Sequence, residues 1–148
     1  MTNPASHDIT ACAHAWQTLR MAHDRVAQRL GAELAHACGL ALNEFDVLLY
    51  LRTHEREEVR LSSLMVAVSL SQPALSRLVA RLEERGLLVR SKNEEDGRAV
   101  VVCLTSSATT LIEKAIDIHA QVVRETLTSK FSAAEQAALL KTLSRVGE

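Results

Sequence analysis

The chain has 148 residues, 47% of them apolar and 24% charged, and a formal net charge of −1. This is the balance of one ordinary globular domain with enough chain to bury a core, and nothing in the total charge asks for a nucleic-acid partner. The four aromatics (Trp16, Phe45, Tyr50, Phe131) are too few for a single-strand RNA binder, which stacks bases on exposed rings. Cys12, Cys38 and Cys103 are an odd set without C-x-x-C spacing, which speaks against a disulfide scaffold or zinc ribbon and fits a reducing cytosol. No apolar run approaches the roughly 18 residues of a bilayer span, and the first residues lack a signal-peptide pattern, so a cytoplasmic protein is expected.

The first predicted element is a long helix over about 11–38. Trp16, Leu19, His23, Val26, Leu30, Leu34 and Ala37 recur at steps of three and four, and Gly39 stops the pattern. At ~27 residues this helix is about 40 Å long, more than a small domain needs. A second helix is expected from Asn43, as N-cap, to His54, with Phe45, Leu48, Leu49 and Leu51 buried. The run Glu55–Glu58 reads as a solvated loop. A short helix (62–68), a turn at Ser69–Ser71, a helix from Gln72 to Arg85 stopped by Gly86, and a two-stranded ribbon (87–91 and 100–104) follow. After the ribbon come a helix from Thr105 or Ser106 to about Lys130 and a last one opened by a capping box, Ser132 with Glu135.

Helix, turn, helix and hairpin are the outline of a winged helix-turn-helix, which sets one helix in the major groove and a loop on the neighbouring backbone or minor groove. The predicted fold is mainly α with a small β-wing. It is one domain, in which a winged helix-turn-helix (43–104) is flanked by N- and C-terminal dimerisation helices (11–38 and 106–148). The flanking helices carry more apolar surface than the centre can cover. A two-fold homodimer is therefore expected, which would place two reading helices about one duplex turn apart.

The residues that would read DNA lie on the helix from Gln72. Ser71 is its expected N-cap, with Gln72 and Pro73 in the first turn. Leu75, Leu78, Val79 and Leu82 should face the core, leaving Gln72, Ala74, Ser76, Arg77 and Arg81 on other faces. Gln bonds adenine bidentately, Arg forks onto guanine, Ser reaches a base or phosphate, and Ala can touch a thymine methyl group. Between Ser71 and Lys92, five cations (Arg77, Arg81, Arg85, Arg90, Lys92) face two anions (Glu83, Glu84), a local basic footprint on a near-neutral chain. At the ribbon tip, Asp96, Gly97 and Arg98 read as a tight turn. Arg98 is suited to the negative minor groove, with Asp96 holding it or another arginine; the alternative is an ordinary charged hairpin turn.

Three stretches together resemble the MarR (multiple-antibiotic-resistance regulator) family of bacterial transcriptional regulators: Gly39–Leu48, Ser71–Arg90, and Asp96–Arg98 running into Val102–Thr105. The similarity covers nearly the whole chain. It implies obligate homodimers, a recognition helix at Gln72–Arg85, a wing arginine at Arg98, palindromic promoter DNA as partner, and repression as the usual behaviour. It also implies release of DNA on meeting a small molecule, an oxidant or, in some branches, a metal. Two positions depart from the family pattern: Gly97 stands where an arginine is usual, and Ala108 where a glycine is common. The stretch His14–Leu19, with Gly39–Leu48 and His119, is similar to a branch with a Trp on the first helix, here Trp16, some members of which respond to urate or phenolic compounds.

Pockets in such dimers lie between the dimer helices and the reading domain. Trp16, Arg20 and His23 would meet an aromatic or phenolic acid with ring, cation and imidazole; the alternative makes Trp16 and His23 plain interface packing. His119 reads as a satisfied interface histidine. Oxidant sensing would fall on Cys12, near His14, although the peroxide-sensing branch has its cysteine where Gln17 stands. Cys38 and Cys103 read as small buried residues. His36 and Cys38 with His14 or His119 lack a ligand spacing, so no metal or other cofactor is expected. Without a glycine-rich loop, carboxylate pair or nucleophile elbow, an enzyme is not expected. An interaction module that has lost DNA binding is the remaining alternative, and it would show no salt-dependent duplex binding.

Overall fold

The computed structural model describes residues 4–55, 57–92 and 100–146. The elements in chain order are α1 (Pro4–Cys38), α2 (Leu42–Thr53), β1 (Val59–Arg60), α3 (Leu61–Ala67), α4 (Gln72–Glu84), β2 (Leu88–Lys92), β3 (Val100–Leu104), α5 (Ser106–Thr126), a 3-10 turn (Thr128–Lys130) and α6 (Ala133–Leu143). The mainly helical fold with a small antiparallel wing is the one expected, but four details differ.

First, α1 starts earlier, at Pro4, a residue suited to a first helical turn because its missing N–H has no partner there. Second, α2 begins at Leu42 rather than after Asn43. Ala41 occupies the N-cap, and its N–H donates to Glu44 Oε2 at 3.0 Å, so a glutamate reaching back replaces the expected asparagine cap. Third, the wing has three strands in the order β1-β3-β2, because Val59 and Arg60 pair with Val102 and Val101. Fourth, α5 ends at Thr126 instead of about Lys130. The hydroxyls of Thr126 and Ser129 donate to the carbonyls of Val122 and Glu125, and Gln136 Nε2 donates to those of Thr128 and Phe131. Such side-chain bonds compete with the helix ladder and let the chain turn into α6. There the Ser132–Glu135 capping box forms as expected.

The turns around α4 follow from backbone geometry. Gly86 sits at φ +68 and Leu87 N–H returns to the Leu82 carbonyl at 2.9 Å, a Schellman ending that a Cβ would strain. Ser69 adopts φ +51 with the same return bond, Leu70 N–H to Met65 O, and closes α3 without a glycine.

One core joins the elements. Phe45, Leu48 and Leu51 of α2, Leu64 of α3, and Leu75, Leu78, Val79 and Leu82 of α4 pack with Val102 of β3 and Ala108, Ile112 and Ala115 of α5. α1 joins it only near its end, through Leu34, with Leu30 buried a turn earlier. Further back, Trp16 is 65% exposed, and Leu140 of α6 is 73% exposed. The apolar stripe predicted on α1 is thus covered only over its last turns. Among the described residues, no single helix is long and apolar enough to cross a membrane.

Candidate nucleic-acid interface

α4 has one apolar face, and its burial decides which side chains point out. Leu75, Leu78, Val79 and Leu82 are each at most 1% exposed, at the spacing of one helix face. The opposite side presents Gln72, Pro73, Ser76, Arg77 and Arg81 to solvent, with Ala74 half-buried. Ser71 holds the N-cap position in extended backbone, but its side chain makes no capping bond. Its hydroxyl, like the first N–H groups of α4, therefore remains available to an acceptor or donor from outside. Arg77 makes no ion pair among the described residues, so its guanidinium is uncommitted.

The other cations of the predicted footprint are not equally free, and this corrects the simple count. Arg90 is paired with Glu83, Nε to Oε2 at 2.8 Å, and that hydrogen bond holds the Glu83 carboxyl below its ordinary range. Arg85 donates to Glu44 Oε2 and to the Gly39 carbonyl, each at 3.0 Å. Arg81 remains 56% exposed, with Nε 3.9 Å from Glu44 Oε1. The outward cation of α4 without a protein partner is thus Arg77, with Arg81 loosely held beside it. Asp96 and Arg98 lie outside the described residues.

At the base of the wing, Thr105 accepts from Ala108 N–H at 3.3 Å as N-cap of α5 and donates to the Gly86 carbonyl at 2.7 Å. Ser107 donates to the same carbonyl at 3.1 Å. These bonds lock the strand end of the wing to the turn that ends α4, so helix and wing are held in one relative position.

A second feature is a cleft of about 470 Å³ between α1, α2, α5 and the C-terminal segment. Its walls are mainly apolar (Leu19, Val26, Leu30, Phe131, Leu139), with His23, Asp46 and His119 as the polar groups. Asp46 stays exposed at the edge of the cleft, but partial desolvation there raises its carboxyl from the ordinary range, and the charge of His119 opposes the shift. His119 stacks on Phe45 with ring centroids 5.0 Å apart.

Of the residues expected to form an effector site, His23 lines this cleft, whereas Trp16 and Arg20 do not. Trp16 stands about two helical turns before His23 on a straight helix, roughly 10 Å away along its axis. Arg20 is drawn along the helix surface to Asp24 at 3.3 Å. Asp46, which also lines the cleft, is the group that the sequence did not bring out. Cys12 is exposed on α1 and is not part of the cleft lining. Cys38 is half-buried and Cys103 exposed, against the expectation that both are buried. On β3 the alternation that turns Val102 into the core puts Cys103 on the opposite face, where it is exposed. Among the described residues, no three metal-ligating side chains come together.

The sequence model of the MarR family matches residues 39–99, from the end of α1 through the helix-turn-helix into the wing. The chain is 32% identical over 108 residues to the HTH-type transcriptional regulator PecS of Dickeya dadantii (strain 3937), covering 72% of this chain and 64% of that protein. It is also 32% identical over 80 residues to the organic hydroperoxide resistance transcriptional regulator of Bacillus subtilis (strain 168), covering 54% of this chain and 53% of that one. Over its helix-turn-helix and wing the chain is thus similar to the MarR family of transcriptional regulators. It spans between about half and two thirds of the length of these two relatives. In fold, the chain is similar to a cysteine-to-serine mutant of MarR from E. coli complexed with operator DNA. That likeness has a TM-score of 0.82 at 23% identity, covering 99% of this chain and 100% of the other. The relatives are named as regulators rather than enzymes, in agreement with the absence of any catalytic motif.

Proposed function

We propose that this chain is a cytoplasmic repressor that binds palindromic promoter DNA as a homodimer and releases it when a small aromatic or phenolic compound occupies the cleft. The observation that carries the DNA-binding part is the outward face of α4: Gln72, Ser76 and the unpaired Arg77 stand together, opposite a fully buried apolar face. Gln72 and Arg77 would read base edges or phosphates, Ser71 and Ser76 phosphates, and Ala74 and Pro73 the apolar groove surface. Arg81 would extend the contact, and Arg98, braced by Asp96, would enter the minor groove from the wing.

The chain works in this proposal as one unit, with 11–38 and 106–148 as dimerisation helices around the reading domain 43–104. Exposed apolar residues on α1 and α6 (Trp16, Leu19, Met21, Leu140, Leu143) support the two-fold partner. The cleft supports the effector class. A phenolic ring suits its apolar walls, the hydroxyl can donate to the Asp46 carboxylate, and His23 or His119 can donate to an acid group. Trp16 and Arg20 lie beyond the cleft lining and would contribute only if the partner subunit extended the site. A second reading, oxidant control through exposed Cys12, is favoured by the name of the Bacillus subtilis relative.

A thermal-shift screen of the purified protein against urate, salicylate, other phenolic acids, zinc and mild peroxide tests the effector. A ligand at about 100 times its dissociation constant adds about 2.7 kcal/mol of stability. A response to a phenolic acid that is lost in His23→Ala and Asp46→Asn supports the reading. A response to peroxide alone, lost in Cys12→Ser, replaces it with the redox alternative.

A further inference from the structure

The first turns of α2 face two ways. Leu42 and Asp46 wall the cleft, whereas Glu44 turns toward α4. Glu44 is 6% exposed and is the buried charged residue of the core among the described residues. Its Oε2 accepts from Ala41 N–H and from Arg85 Nη1, both at 3.0 Å, and its Oε1 lies 3.9 Å from Arg81 Nε. The second arm of the Arg85 guanidinium donates to the Gly39 carbonyl at 3.0 Å. One planar fork at the C-terminal end of α4 therefore spans both sides of the α1–α2 corner.

A carboxylate removed from water is tolerated only when its oxygens are hydrogen-bonded, and a fork that meets two fixed acceptors fixes direction as well as distance. Glu83 also ties α4 to Arg90 of β2, and Thr105 and Ser107 hold the Gly86 turn, but those bonds fix α4 to the wing; against α1 and α2 its other attachment is apolar packing, which resists separation but is less selective about rotation. For Arg85 to reach a phosphate it would have to abandon a buried carboxylate, which makes it a poor DNA ligand despite its place in the basic run.

We propose that Glu44 and Arg85 are positioning residues for DNA recognition: their tie sets the angle at which α4 presents Gln72 and Arg77, and Arg85 acts on binding through Glu44 rather than by touching DNA. This rests on the DNA-binding reading above. The tie also links α4 to the same turns of α2 that wall the cleft.

The test compares wild type with Glu44→Gln, Arg85→Gln, the double variant and Arg85→Lys. The DNA is a duplex recovered by the wild-type protein from a randomised pool. Affinity is measured across a salt series, at a temperature below every variant's thermal midpoint. Each single glutamine variant should weaken binding about tenfold, and the double variant should be no weaker than either single one. The slope of log affinity against log salt should stay at the wild-type value, because no phosphate contact is lost. Arg85→Lys keeps the charge and should fold, but a single ammonium cannot span both acceptors, so it should bind more weakly than wild type. The proposal is overturned if Glu44→Gln or Arg85→Lys binds like wild type. A slope lowered by about 2 in Arg85→Gln also overturns it, because that marks one phosphate contact per subunit. If the wild type recovers no preferred sequence, the DNA-binding reading itself fails and the proposal falls with it. A preferred sequence bound with additive effects of the two singles rejects the positioning role alone.

Discussion

Replacing Arg77 with alanine separates a DNA contact from a structural role, because this guanidinium has no ion pair among the described residues. Truncation leaves no partner unsatisfied in the free protein, and arginine and alanine are both good helix formers. The change in folding stability should therefore stay within about 0.5 kcal/mol. Binding should respond much more. A two-fold dimer carries two copies of the residue. If each neutralises one phosphate, the salt slope falls by about 1.8, and the wild-type advantage shrinks roughly tenfold between about 50 and about 200 mM salt. If each instead forks onto a guanine, the slope holds, and discrimination at one base pair per half-site drops by about 1–3 kcal/mol. Fluorescence anisotropy with a labelled duplex at several salt concentrations, repeated with single base-pair changes, reads both quantities. Arg90→Ala is the control, since Arg90 is already occupied by Glu83. An Arg77→Ala protein with wild-type affinity, slope and base preference would refute the assignment of the reading face.

Asp46→Asn removes an exposed carboxyl whose ionisation is opposed by partial desolvation at the cleft. With the folded value raised, the contribution of Asp46 to stability is present at acid pH and is lost as pH rises through the carboxylate range. The variant should accordingly gain on wild type between about pH 3 and about pH 7 in urea melts, and a pH-independent difference would contradict the shift. Ser69→Gly relieves a left-handed residue at φ +51 and should raise stability by about 0.5–1 kcal/mol, seen as a higher urea midpoint. Leu78→Ala opens a cavity beneath α4 at a position 1% exposed and should cost about 2–5 kcal/mol, with loss of duplex binding wherever the unfolded fraction rises.

What was legible in the sequence was whatever local pattern decides. The α4 face follows from Leu75, Leu78, Val79 and Leu82 at helix spacing, its end from Gly86, and the start of α6 from Ser132 with Glu135. β1 was not legible, because two residues show no alternation and Val59 and Arg60 become a strand only by pairing with β3. The ties of Arg85 were hidden for a similar reason: Glu44 lies 41 residues away, and only the fold brings the two together. A count of cations along the chain takes each as free, so it overstated the basic face. On α1 the helical stripe runs past the core of its own chain, in line with the expected excess of apolar surface on the flanking helices. The described core stops near Leu30, and the cleft includes His23 but neither Trp16 nor Arg20. Asp46 escaped notice because an acid near a helix start has a sufficient local reason to be there, and its place in the cleft wall depends on α1 and α5 coming alongside.

The most direct test of the central claim is selection of duplexes from a randomised pool by the purified full chain, followed by sequencing and by the protein-to-DNA ratio of the complex. An enriched palindrome is expected, with half-sites about one helical turn, roughly 34 Å, apart and two chains per duplex. Enrichment of no sequence, or binding of one chain to an asymmetric site, would contradict a dimeric reader built on α4.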